Sequence, residues 1–125
     1  LEKKIINIEK TNARFLNNKI IKDKIDLIVC DVSFISMKKV LEPCINFLNN
    51  KSGIIVGLIK PQFEAQKKEV GRGGIVSKED IHNRVCQEFI YWFEENLKME
   101  VMGITKSPIT GQKGNTEFLI ASKFI

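Results

Sequence analysis

The chain has 125 residues, 43% of them hydrophobic, which leaves room for one domain with a real core and little room for two. An excess of 20 basic over 15 acidic residues gives a net charge of +5, which favours a polyanionic partner without requiring one. Cys30, Cys44 and Cys86 are scattered, odd in number and lack a CxxC spacing, so they fit reduced cytosolic thiols and argue against a disulfide framework.

In chain order, Lys4 to Glu9 reads as a short strand with Ile5, Ile6 and Ile8 as its apolar members. Thr11-Asn12-Ala13-Arg14 opens a polar loop that runs through Asn17-Asn18. Asp26 to Cys30 is the first strong strand. Ser36 to Asn49 is predicted helical, its apolar Val40, Leu41, Ile45 and Leu48 close to helical spacing and Pro43 weakening or bending it. Ser52-Gly53 is a turn, and Ile54 to Ile59 is the second strong strand. Both strong runs are continuous and rich in β-branched residues, as strands buried on both faces of a parallel sheet are.

Pro61 to Val76 reads as a charged loop containing Gly71-Arg72-Gly73-Gly74, with the backbone freedom of a substrate-facing segment. A helix follows to about Leu97. Ser77 with Asp80 resembles its cap, and Ile81, Val85, Phe89, Trp92 and Phe93 form its apolar stripe. Met99 to Thr105 and Glu117 to Lys123 alternate and are joined through Ser107-Pro108 and Gly111 to Asn115, which predicts a closing antiparallel hairpin. The order β-β-α-β-α-β-β is an α/β pattern with an antiparallel edge.

Polar residues stand where the apolar runs stop: Asp31 after Cys30, Lys60 after Ile59, and Glu117 ahead of Leu119-Ile120-Ala121. In open α/β sheets the carboxyl ends of parallel strands form the ligand-binding rim, so a carboxylate and an amine at neighbouring strand exits can meet across one cleft. Taken singly, Asp31 also reads as a cap or turn former, Lys60 as a solvated strand end and Glu117 as a solvated charge. His82 and Cys86 share a helix face but lack a second ligand pair, so no metal is expected. Phe89, Trp92 and Phe93 read as core, and Lys19, Lys22, Lys24, Lys38 and Lys39 as a solvated basic face able to meet phosphates.

The blocks Asp31-Val32-Ser33-Phe34-Ile35-Ser36, Lys60-Pro61-Gln62-Phe63-Glu64, Gly71-Arg72-Gly73-Gly74, and Ser107-Pro108-Ile109-Thr110-Gly111 to Asn115-Thr116-Glu117-Phe118-Leu119 come in a characteristic order. Together they resemble the TlyA (hemolysin A) family within the FtsJ-like ribosomal RNA methyltransferases. Glu9-Lys10-Thr11-Asn12-Ala13-Arg14 is similar to that family's segment after its third strand. The likeness extends over essentially the whole chain.

The resemblance implies a Rossmann-like α/β methyltransferase sheet, S-adenosylmethionine as methyl donor, and transfer to a ribose 2′-oxygen of rRNA. It also implies a Lys-Asp-Lys-Glu set, of which Asp31, Lys60 and Glu117 match the aspartate, the second lysine and the glutamate. Lys60 would take the hydroxyl proton, and Asp31 would orient it and lie near the sulfonium. Glu117 would hold the hydroxyl or the lysine network. Asn12 and Asp31 would contact the donor, while Phe34, Arg72 and Lys113 would meet the RNA.

The family's glycine-rich donor turn, the acidic residue that follows it, the first catalytic lysine and the small N-terminal RNA-binding domain have no counterpart in residues 1–125. The expectation is therefore a partial sheet, its first strands missing, in which residues 1–125 form the C-terminal portion of the methyltransferase domain. The absence of an initial Met fits a piece of a longer protein. Alone, the chain is expected to bind the donor poorly. The segment near Ile5 is expected to be displaced, frayed or paired with another copy, because its usual neighbour lies in the missing half.

Two other classes compete. A non-catalytic RNA-binding or assembly remnant would need only the basic surface and the missing half or self-association through an unpaired strand edge. A membrane-active hemolysin would need a span or a strongly basic amphipathic helix. No apolar run approaches the ~20 residues of a span, and no signal peptide is recognisable at the start. A cytoplasmic protein acting on rRNA is the leading expectation.

Overall fold

The computed structural model describes residues 4–125. The two apolar runs become parallel neighbours: β1 (Leu27–Cys30) lies beside β2 (Ile54–Ile59), with Leu27 opposite Ile54 and Cys30 opposite Gly57. The alternating C-terminal segments form β3 (Met99–Lys106) and β4 (Phe118–Phe124), an antiparallel pair with one irregularity between Val101 and Gly103. β4 inserts antiparallel to β2, so the open sheet has the order β1-β2-β4-β3. The expected mixed α/β sheet with an antiparallel closing hairpin is what the chain forms.

Among the described residues three α-helices accompany the sheet: α1 (Met37–Cys44), the single turn α2 (Pro61–Glu64) and α3 (Glu79–Glu95). Ser36 caps α1 by accepting the Lys38 N–H, and Pro61 occupies the first turn of α2, where its missing N–H costs nothing. The stripes of α1 and α3 bury Met37, Leu41, Val85, Phe89 and Phe93 against Ile55, Ile59 and Ile120 in one cluster. Gly57 faces this layer because a Cβ there would stand 2.8 Å from Met37 Cε. Each large side chain removed from water in the cluster contributes roughly 1.5–3 kcal/mol, the main force holding the helical layer to the sheet.

The two faces of the sheet are unequal. Ile55, Gly57 and Ile59 of β2 are buried beneath the helices, whereas Ile54, Val56 and Leu58 are half-buried on the other face with Leu119 and Ala121. Leu27 and Val29 on β1 are 54% and 71% exposed. β1 is therefore not buried on both faces as its composition suggested. Among the described residues its one ladder neighbour is β2, and no helix lies over Val29.

Four further expectations are corrected. Lys4 to Glu9 forms no strand: Ile5 to Glu9 is irregular and exposed, Ile6 at 85%. A strand needs a neighbour for its ladder, and the described residues offer none there. The first helix ends at Cys44 instead of Asn49 and continues as a 3-10 turn over Ile45–Phe47; Pro43, inside its last turn, leaves the Lys39 carbonyl without the usual N–H donor and weakens that turn. The charged loop after β2 is not wholly irregular, since it contains α2 and a 3-10 turn over Lys67–Glu69. Finally, α3 starts at Glu79 with Lys78 as an uncapped N-cap, and Ser77 does not serve. The approach to α3 is fixed by Val76, whose N–H is taken by Asn115 Oδ1 at 3.0 Å and whose carbonyl pairs with His82 Nε2 at 2.7 Å.

Candidate active site

The strand register determines which residues meet. Ile59 at the end of β2 pairs with Phe118 at the start of β4, and Phe118 pairs with Lys106 at the end of β3. The residues just outside these pairs, Lys60, Glu117 and Ser107, thus leave the sheet at one edge, with Asp31 beside them after β1.

Lys60 Nζ lies 2.6 Å from Asp31 Oδ1 and donates to Ser33 Oγ at 3.0 Å. The lysine side chain is only 12% exposed, while that of Asp31 is 69% exposed. With one partner so open to water, the ion pair adds about 1 kcal/mol or less to stability, and its consequence is orientation of the amine. Opposite stands Glu117, which is 6% exposed. Its Oε2 accepts a hydrogen bond from Gln62 Nε2 at 3.0 Å, and its backbone carbonyl accepts the Ser107 N–H at 2.8 Å. Gly111 lies against the same carboxylate so closely that any Cβ would overlap it.

These groups line a cleft of about 490 Å³ whose walls include Asp31, Ser33, Lys60, Gln62, Phe63 and Glu117. A second, mainly apolar hollow of about 310 Å³ opens beside β1, between Ala13, Leu16, Cys30, Val32 and Val40, and it too is bordered by Asp31. Asp31 therefore stands where the two hollows adjoin.

The loops around the clefts are tied down by polar contacts. Glu64 at the end of α2 accepts from Ser36 Oγ at 2.7 Å and from the Met37 N–H at 2.9 Å, which fastens the segment after Asp31 to the segment after Lys60. Burial pushes the Glu64 carboxyl up, against the pull of these two hydrogen bonds. Burial likewise pushes the Cys30 thiol up to about 11, with smaller contributions from Cys44, Asp31 and Glu64, and Lys60 acting in the opposite direction. Asn115, 3% exposed, joins the other two loops: besides holding Val76 it donates to the Gly74 carbonyl at 2.9 Å and the Gln112 carbonyl at 3.1 Å.

An amine held by a carboxylate and a hydroxyl, facing a second carboxylate across a cleft, can hold a hydroxyl nucleophile and accept its proton once the amine is neutral. The family model for FtsJ-like methyltransferases matches residues 1–124.

The chain belongs to the FtsJ-like methyltransferase family.

It is 36% identical over 117 residues to the 16S/23S rRNA (cytidine-2′-O)-methyltransferase TlyA of Mycobacterium tuberculosis, covering 94% of this chain and 43% of that protein. It is 38% identical over 119 residues to Hemolysin A of Brachyspira hyodysenteriae, covering 94% of this chain and 49% of that one. The crystal structure of a hemolysin-named protein from Lactococcus lactis superposes with a TM-score of 0.86 at 33% identity, over 94% of this chain and 56% of the other. This FtsJ-like chain thus spans about half the length of the curated relatives it matches.

The structure brings Asp31, Lys60 and Glu117 to one cleft and leaves the remaining site candidates outside its wall. Phe34, 79% exposed, packs at a tilt of 52° against the cleft residue Phe63, with ring centroids 4.9 Å apart. Its φ of 65° is unusual for a bulky residue. Asn12 is exposed and caps the 3-10 turn Ala13–Phe15 through the Arg14 N–H, next to the apolar hollow. Arg72 and Lys113 are exposed on the Gly71–Gly74 loop and the loop before β4, with Lys113 at φ 58°. Ser33, Gln62, Gly111 and Asn115 received no role from sequence reasoning. All four lie within the FtsJ-like blocks, and the signal available for Gln62 was a polar side chain two residues past Lys60 on a proline-started turn.

Proposed function

We propose that this chain is the C-terminal portion of the catalytic domain of an S-adenosylmethionine-dependent methyltransferase that modifies a ribose 2′-oxygen of rRNA. The observation that carries the reading is the position of Asp31, paired to Lys60 at 2.6 Å and shared by an apolar and a polar hollow. A methyl transfer needs donor and acceptor sites that adjoin at one point, and in-line positioning of the two reactants supplies much of the acceleration.

The chain's own residues fit the donor in part. The apolar walls of the smaller hollow suit a nucleoside ring, Asn12 stands near it, and the open carboxylate of Asp31 suits a cationic sulfonium. When bound, the donor supplies an electrophilic methyl group. In the polar cleft Lys60 accepts the proton of the 2′-hydroxyl, Asp31 and Ser33 orient the amine, and Glu117 holds the hydroxyl. Phe34, Arg72 and Lys113 contact the RNA from outside the cleft, and the net charge of +5 favours its phosphates. Among the described residues no helix is long and apolar enough to cross a membrane.

The test is methyl transfer from labelled S-adenosylmethionine to rRNA by the chain together with a separately produced N-terminal half of the domain. Label in a ribose methyl, lost in a folded K60A chain, supports the reading. Absence of label in an assembly that binds both donor and rRNA overturns it in favour of an RNA-binding remnant. Undiminished transfer by K60A removes Lys60 as the base.

A further inference from the structure

Among the described residues, one buried side-chain polar atom has no hydrogen-bond partner, and it borders the candidate site: Gln62 Oε1. A buried acceptor without a donor ordinarily costs about 1–3 kcal/mol, so the amide's orientation needs a reason. Turning the amide over would relieve nothing, because the oxygen would then face the Glu117 carboxylate that Nε2 now serves at 3.0 Å. The orientation is set by Glu117.

The surroundings of that carboxylate are asymmetric. Its Oε2 accepts from Gln62, and a Cβ placed on Gly111 would meet Oε2 before Oε1. Among the described residues Gln62 is the one donor to either oxygen. Gln62 is itself anchored: Pro61 starts the helical turn that carries it, and the Glu64 carboxylate at the end of that turn holds Ser36 and Met37. Lys60 immediately precedes the turn, so one rigid piece of backbone fixes the amine and, through Gln62, the carboxylate opposite.

We infer that Gln62 is a positioning residue for the methyl transfer proposed above, on which this inference rests: it occupies Glu117 Oε2 and leaves Oε1 free for the acceptor hydroxyl. The unpartnered Oε1 of Gln62 is the cost of that arrangement. Gln62 itself touches neither reacting atom, and no bond is made or broken on it.

The experiment measures kcat and KM for rRNA across pH in the assembly that methylates with the parent chain, comparing Q62M and Q62E. Q62M removes the donor at similar volume. It is expected to lower kcat by about 10- to 100-fold, the scale of a misplaced reacting group, with KM for RNA changed by about twofold or less. The carboxyl introduced by Q62E can donate to Glu117 only while protonated. Its rate relative to the parent is therefore expected to be highest at the acid end and to fall as pH rises, a change of profile that looser packing alone would not produce. The Q62E comparison stands if Q62M fails to fold, because it is made within one variant across pH.

A Q62M kcat within about twofold of the parent overturns the inference, as does a Q62E deficit that is the same fraction at every pH. A parent assembly that binds donor and rRNA but transfers no methyl group overturns the methyltransferase reading instead, and the inference with it. The outcomes therefore separate the two failures.

Discussion

Replacing Asn115 by Ala tests the scaffold beneath the candidate site. The side chain makes three hydrogen bonds from a position 3% exposed, taking the Val76 N–H and donating to the Gly74 and Gln112 carbonyls. At about 1 kcal/mol net for each, N115A loses about 3 kcal/mol, a large fraction of the 5–15 kcal/mol by which domains are ordinarily stable. With an m-value of about 1–2 kcal/mol per molar, the urea midpoint falls by roughly 2 M at unchanged slope. N115D provides the internal control. It keeps an acceptor for Val76 but sets lone pairs against two carbonyl oxygens now 2.9 and 3.1 Å from Nδ2. At neutral pH it is therefore expected to be no more stable than N115A. A loss below about 1 kcal/mol for N115A, or an N115D protein clearly more stable than N115A, would refute the assignment of Asn115 as the link between the two loops.

G111A is expected to cost about 1–3 kcal/mol in chemical denaturation and to reduce methyl transfer, because its Cβ would displace the Glu117 carboxylate; an unchanged melting curve contradicts the packing. The Arg84 guanidinium holds the Glu69 carboxyl down from 4.5 to about 2, so its stabilising contribution is complete above 4.5 and is lost as pH falls towards 2. E69Q is expected to lack that part of the acid-induced loss, as acid titrations followed by circular dichroism would reveal. Burial pushes the Cys30 and Cys86 thiols up to about 11 and raises that of Cys44, so the folded chain is expected to react slowly with an aromatic disulfide reagent near pH ~8. In denaturant all three cysteines should react promptly.

The parts of the fold that were legible were those whose pattern reports a local cause. Ile54 to Ile59 occupies its expected strand, and the stripe from Ile81 to Phe93 lies on α3, because those apolar spacings arise from one element's own geometry. Lys4 to Glu9 has a strand's composition, but composition does not supply a neighbouring strand. The start of α3 differs for a related reason: Ser77 and Asp80 advertise a local cap, whereas Val76 is held by Asn115, 39 residues away, together with His82 of α3 itself. Within the site, Asp31 and Lys60 were visible because they interrupt apolar runs at neighbouring strand exits. Gln62 was not, since its interest lies in a partner 55 residues away that only the β2–β4 register brings near.

The position of Asp31 on the border of both hollows has a consequence for kinetic dissection. In a two-substrate reaction, a residue bordering one compartment reports on the apparent affinity for one reactant. Residue 31 borders both, so a substitution there blends the two responses, and the resulting constants cannot be apportioned between the proposed donor and the proposed acceptor. Cleaner separation comes from changing Val40 on one side or Gln112 on the other, each of which lines a single compartment.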